Sequence, residues 1–156
     1  MNIGTLSKSI IELIYKILSV KYDVVMKKIE VVAGIIYFKG KILCVQRPKN
    51  KLSYISEKFE FPGGKIEKGE SRKEALKREL FEELNISIKI KSLFLSVTHQ
   101  YPDFELTMHG YICEIDTQDI ILNEHISKEW LNLNELKKLD WAAADVPIVD
   151  KLVANG

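Results

Sequence analysis

Phe61-Pro62-Gly63-Gly64-Lys65-Ile66-Glu67-Lys68-Gly69-Glu70-Ser71 runs directly into Arg72-Lys73-Glu74-Ala75-Leu76-Lys77-Arg78-Glu79-Leu80-Phe81-Glu82-Glu83-Leu84-Asn85-Ile86, a glycine loop followed by an acidic segment. Glycines at 63, 64 and 69 predict tight turns and a close approach of backbone carbonyls to something bound. The pattern beyond them predicts a helix over 71–84. On it Glu79, Glu82 and Glu83 stand at i, i+3 and i+4 and share one face. Like charges at that spacing repel by a few tenths of a kcal/mol per exposed pair, and a divalent cation reverses the sign. Carboxylates plus a backbone carbonyl suit a hard ion, Mg²⁺ or Mn²⁺, and Mg²⁺ typically shares itself with substrate phosphates. A polyphosphate substrate follows. Ala75, Leu76, Leu80 and Leu84 form the opposite, apolar face that anchors the helix. Arg78 is placed to orient a carboxylate through a bidentate hydrogen bond.

Around this core the chain alternates between strands and helices. Residues 31–38 and 42–45 predict a hairpin turning at Gly40, and 47–59 a polar loop. Apolar runs at 86–97 and 106–115 predict strands, and 128–139 a short strand or turn followed by a helix. Pro147 is expected to open a last helix through Val153, with Ile148, Val149, Leu152 and Val153 on its apolar face. Strands and helices mixed in one short chain indicate an α/β (α+β) domain with a mixed sheet.

The first 28 residues read differently. Ile10, Ile11, Leu13, Ile14, Ile17 and Leu18 recur at helical spacing between charges, so an amphipathic helix is expected there, too interrupted to span a membrane. Five lysines against Glu12 and Asp23 give this segment +3, leaving 18 basic and 20 acidic residues, or −2, over 29–156. Packing on the domain or across a dimer, a weak membrane-surface helix and an extension without function are the open readings of its role. The expected organisation is an extension over 1–28 and a working domain over 29–156.

The 156 residues are 46% hydrophobic and 29% charged, with a net charge of +1. A chain of this size buries roughly two-thirds of its unfolded surface and needs no disulfide or structural metal. Near-neutral charge excludes a general electrostatic case for a nucleic-acid polymer or a stable membrane association. Cys44 and Cys113 lie in apolar runs and read as core residues of a reduced, cytoplasmic protein, a monomer or homodimer.

Gly64, five residues, Glu70, seven residues, Arg78-Glu79-Leu80, one residue, Glu82-Glu83, one residue and Asn85-Ile86 resemble the Nudix box, departing from it only at Asn85, where the family has Gly. That position follows the helix, where a left-handed backbone is expected and Asn is the usual substitute. The lead-in Phe59 to Glu67, Gln46-Arg47, the segment Glu124-His125 to Glu129-Trp130 and the ending Asp140 to Pro147 resemble the MutT-like branch. The resemblance covers 29–153 and implies a mixed sheet between helices, with the N-terminal helix as an addition. It implies Mg²⁺-dependent hydrolysis of a nucleoside triphosphate, an oxidised dGTP or a CTP or dCTP type, to the monophosphate and pyrophosphate. Nucleotide pool sanitation is the corresponding role. A Nudix hydrolase acting on ADP-ribose or another nucleoside diphosphate derivative and a non-catalytic nucleotide-binding module are the alternatives.

Carried over residue by residue, the resemblance implies Glu79, Glu82, Glu83 and the Gly64 carbonyl as metal ligands. Glu124 is implied as a candidate general base, with Glu79 able to serve instead; its other reading is an exposed loop acid with His125 as an incidental neighbour. Arg47 would contact phosphate or else form a surface salt bridge. Glu60, Phe61 and Gly63 would floor the nucleotide site, Phe61 equally as plain core. Asp145 would meet the base edge, accepting only if ionised, or would instead cap the Pro147 helix.

Overall fold

The structure, a computed structural model, describes residues 8–22 and 26–156, leaving aside the side chains of residues 15 and 18–22. Helix α1 spans Lys8–Tyr22, and its Ile10, Ile11, Leu13, Ile14 and Ile17 are exposed. Also part of the expected pattern, the side chains of Leu18 and Lys21 and the whole of Asp23 lie outside the described residues. Strand β1 (Lys27–Phe38) turns through Lys39–Gly40 into β2 (Lys41–Gln46), the expected hairpin. Two very short strands follow, β3 (Phe59–Glu60) and β4 (Gly63–Lys65), and then α2 (Arg72–Leu84). The remaining elements are β5 (Lys89–Gln100), β6 (Phe104–Glu114), β7 (Ser127–Leu131), a 3₁₀ helix (Leu133–Lys138) and α3 (Val146–Asn155). Strand β5 lies three residues later than the range that hydropathy suggested and β6 starts two residues earlier, because their paired ends continue through polar residues such as Thr98–Thr107 and Gln100–Glu105.

Among the described residues the seven strands form one sheet of order β3-β2-β1-β6-β5, with β4 paired to β1 and β7 to β2. Strand β1 runs parallel to β6 and antiparallel to β2 and β4, so the sheet is mixed. The two-residue period of β1 sorts its side chains between two cores. Ala33 and Ile35 pack with Ile42, Cys44, Leu136, Ile148 and Leu152 under α3. Val32 and Ile36 pack with Leu43, Val45 and Cys113 under the Ala75, Leu76, Leu80 and Leu84 face of α2. The leucines of α2 are fully buried, and each contributes on the order of 1.5–3 kcal/mol to docking the helix. Cys44 and Cys113 thus lie on opposite faces of the sheet, both free, with burial pushing each thiol up to about 12. Among the described residues no helix is long and apolar enough to cross a membrane.

Helix α2 begins with a reciprocal cap. Ser71 Oγ accepts from the Glu74 amide at 3.3 Å and Glu74 Oε2 from the Ser71 amide at 2.8 Å. It ends at Asn85 in the left-handed conformation (φ 54°, ψ 41°), with the Asn85 amide donating to Phe81 O at 2.9 Å. Its acidic face is thereby fixed in rotation against the sheet.

Candidate active site

Pairing of Gly63–Lys65 with Val31–Ala33 lays the glycine loop beside α2. A Cβ on Gly63 would overlap the Val32 carbonyl, and one on Gly64 would run into the Glu79 carboxylate. Both positions therefore require glycine, the first for backbone packing and the second to leave room for a carboxylate. The loop and the acidic face of α2 form one end of a cleft of about 580 Å³.

Arg78 organises this end. Its Nε and Nη2 reach both oxygens of Glu70 at 2.6 and 2.9 Å, its Nη1 lies 2.9 Å from Glu79 and 3.3 Å from Glu82, and Nη2 also donates to Lys65 O at 3.0 Å. The bidentate contact expected of Arg78 thus goes to Glu70 rather than to its neighbour Glu79. It holds the Glu70 carboxyl down to about 2. Burial raises the pKa of Glu79, against the pull of Arg78. Glu83 is 6% exposed and accepts from the Gly63 amide at 3.2 Å. Burial, then the charges of Glu60, Glu124 and Glu79, push its carboxyl up to about 9. Glu124 is exposed on the segment before β7, and its charge acts on both Glu79 and Glu83.

Among the described residues no three acidic, histidine or cysteine side chains already surround one point as metal ligands. Glu79 and Glu82 lean on Arg78, and Glu83 on the Gly63 amide. The donor set nevertheless fits a hard divalent cation. It offers oxygen ligands only, on a helix face that Gly64 leaves open, and it includes a buried carboxyl whose charged form is costly without a cation.

The other end of the cleft is apolar, with Phe61, Tyr101, Phe104, Met108 and Ala144 around Asp145. Phe61 serves both readings, being 3% exposed, packed against Trp141 in a tilted ring pair with centroids 4.7 Å apart, and lining the cleft. Asp145 precedes α3 but its side chain makes no cap hydrogen bond to it. Its Oδ1 accepts instead from the Phe61 amide at 2.9 Å, turned into the cleft. Full burial, then the charge of Glu60, raise its pKa well above the ordinary range. Burial thus favours the neutral acid, which donates as well as accepts, over the ionised, acceptor-only form.

Glu60 bridges the two ends. It pairs with Arg47 Nη1 at 2.7 Å, so the salt bridge foreseen for Arg47 exists, and both residues line the cleft. Its other oxygen lies 3.0 Å from Nε2 of His125. His125 is buried although its chain neighbours Glu124 and Ile126 are exposed, and its burial and its contact to Glu60 set it apart from a loop histidine. Glu70 was visible in the sequence as part of the box, eight residues before Arg78, without a sign of the pairing.

A model of the NUDIX domain matches residues 27–152. The chain belongs to the Nudix hydrolase family. Among Nudix relatives, it is 33% identical over 127 residues to an 8-oxo-dGTP diphosphatase of Escherichia coli K12, covering 81% of this chain and 98% of that one. It is 35% identical over 129 residues to a CTP pyrophosphohydrolase of the same organism, covering 83% and 94%. Its fold superposes on the solution structure of a MutT protein, described as a Nudix hydrolase, from methicillin-resistant Staphylococcus aureus 252, with a TM-score of 0.66 and 39% identity over 84% of this chain and 99% of that one.

Proposed function

We propose that this Nudix hydrolase cleaves a nucleoside triphosphate, an oxidised dGTP or a cytidine triphosphate, to the monophosphate and pyrophosphate. The observation that carries the reading is the division of one cleft into a carboxylate end at Gly64, Glu79, Glu82 and Glu83 and an apolar end closed by Asp145. The first suits a polyphosphate with its cation and the second a base. The names of the relatives support the same two substrates.

Gly64, Glu79, Glu82 and Glu83 would hold Mg²⁺, with Mn²⁺ as a substitute. When bound, the ion supplies neutralisation of phosphate charge and a more acidic water. The protein's own residues do the rest. Arg47, held by Glu60, faces the phosphates with a planar donor set. Glu124 takes a proton from the attacking water as an oxygen–phosphorus bond forms and the bridging bond to pyrophosphate breaks. Phe61 and its neighbours exclude water from the base, and Asp145 meets its edge.

The test is a panel of 8-oxo-dGTP, dGTP, CTP, dCTP, 5-methyl-dCTP and ADP-ribose with Mg²⁺, scoring pyrophosphate against phosphate, with Glu83→Gln as control. Pyrophosphate release from a preferred triphosphate, lost in the control, is the expected result. Cleavage of ADP-ribose alone would overturn the assignment.

A further inference from the structure

We infer that Asn123 and His125 are positioning residues that hold Glu124 over the acidic turn of α2. The inference rests on the reading of Glu124 as the water-activating base.

An α-helix leaves its last four carbonyls without intrahelical partners. In α2 the Phe81 carbonyl is taken by the cap amide of Asn85. The other three are taken by the segment that carries Glu124. Asn123 Nδ2 donates to Glu82 O at 2.7 Å, the Asn123 amide to Glu83 O at 3.0 Å, and the Ile121 amide to Leu84 O at 3.1 Å. Residues 121–123 are therefore the outer part of the helix cap, bonded to the backbone of two of the acidic residues themselves.

The chain is tied again just beyond Glu124. The Ile126 amide donates to Gln46 O at 3.0 Å, and Ser127 Oγ to Gln46 Oε1 at 2.8 Å, where β7 joins β2. Between these ties His125 is 8% exposed while Glu124 and Ile126 on either side are exposed. Burying an imidazole costs free energy unless it is hydrogen-bonded, and an apolar residue would fill the space more simply. Here Nε2 is used on Glu60, while Nδ1 has no partner among the described residues. A carboxylate oxygen accepts, so Nε2 carries the proton. The contact to Glu60, itself held by Arg47, accounts for a histidine at this place.

Glu124 is thus fixed on one side to the helix that bears Glu79 and Glu83 and on the other to the floor of the cleft. Its side chain remains exposed, while its backbone has little freedom. A displacement of about 1 Å in such a group can cost on the order of 100-fold in rate.

The experiment is a double-mutant cycle on the full chain. Asn123→Ala and His125→Leu are made singly and each together with Glu124→Gln, and kcat and KM are measured with Mg²⁺ and the preferred triphosphate. Amide exchange over 121–127 is measured in the metal-free protein. Each single change is expected to lower kcat by roughly 10- to 100-fold with KM little altered. In the Glu124→Gln background neither should lower it further. Amides of 121–127 should exchange faster while those of α2 keep their protection. His125→Gln, which keeps an N–H donor, should recover part of the loss. If Glu124→Gln lowers kcat but the other losses multiply with it, or the single changes leave kcat intact, the positioning roles are overturned and the base stands. If Glu124→Gln leaves kcat unchanged, the base reading itself fails.

Discussion

Arg78 grips both oxygens of Glu70, with Nε at 2.6 Å and Nη2 at 2.9 Å, and so ties the loop ahead of α2 to the turn that carries Glu79 and Glu82. The pairing lowers the Glu70 carboxyl to about 2 from an ordinary value near 4.5. A folded-state pKa below the unfolded one gives stability that is fully present above the unfolded pKa and lost as pH falls toward the folded one. Melting curves of wild type and Glu70→Gln should therefore differ most above about pH 5 and converge as pH is lowered through 4.5 toward 2. A gap that stays constant over this range would show that the charge is not what holds the loop.

Glu83 carries the opposite sign. A carboxyl pushed up to about 9 in the metal-free fold ionises near 4.5 when unfolded, so it weakens the metal-free protein progressively as pH rises from 4.5 to 9. Gln at this position still accepts from the Gly63 amide and has no charge to bury. Glu83→Gln should leave the metal-free Tm at pH 8 equal to or above that of wild type, while lowering kcat on the order of 10²–10³-fold. Mg²⁺ at ten times its Kd should stabilise wild type by about 1.4 kcal/mol and the variant by less. Calorimetric melts with and without Mg²⁺ decide it, and a large loss of metal-free stability in the variant would contradict the assignment.

The two adjacent glycines should separate stability from activity. A methyl at Gly64 meets only the end of the Glu79 side chain, which can swing aside, whereas one at Gly63 meets the Val32 backbone. Gly64→Ala should fold with little change in Tm and lose on the order of 100-fold in kcat through a displaced carboxylate. Gly63→Ala should lose stability by about 1–3 kcal/mol through backbone strain. Denaturant curves beside steady-state rates would check both, and equal stability losses would refute the distinction.

What could be read in the sequence is what local rules determine. The helix over 71–84, the left-handed Asn85, the turn at Gly40 and the placing of Cys44 and Cys113 in the core all depend on neighbours within a few residues or on strand alternation. The acidic face of α2 was legible for the same reason. Contacts across long separations were not. His125 reads as a loop residue because its partner Glu60 lies 65 residues away, and a helix cap stays open as the alternative for Asp145 because its partner, the Phe61 amide, lies 84 away. Neither periodicity nor spacing encodes which of two available donors a side chain will choose.

Asp145 provides the sharpest test of the apolar end. Full burial favours its neutral form, with one oxygen on the Phe61 amide and the remaining group free to meet a base edge. Asn keeps an acceptor for the Phe61 amide and an N–H donor, but it cannot ionise when a donor-rich edge arrives. Asp145→Asn should therefore fold normally, because the buried contact to Phe61 survives, and should change the ratio of kcat/KM between 8-oxo-dGTP and CTP. A change of 1–3 kcal/mol in that comparison corresponds to roughly 10- to 200-fold. Asp145→Leu should lower stability as well, since it leaves the Phe61 amide buried without a partner, at about 1–3 kcal/mol. If Asp145→Asn lowers both substrates equally and leaves their ratio unchanged, Asp145 supports the floor of the cleft through Phe61 and does not choose the base.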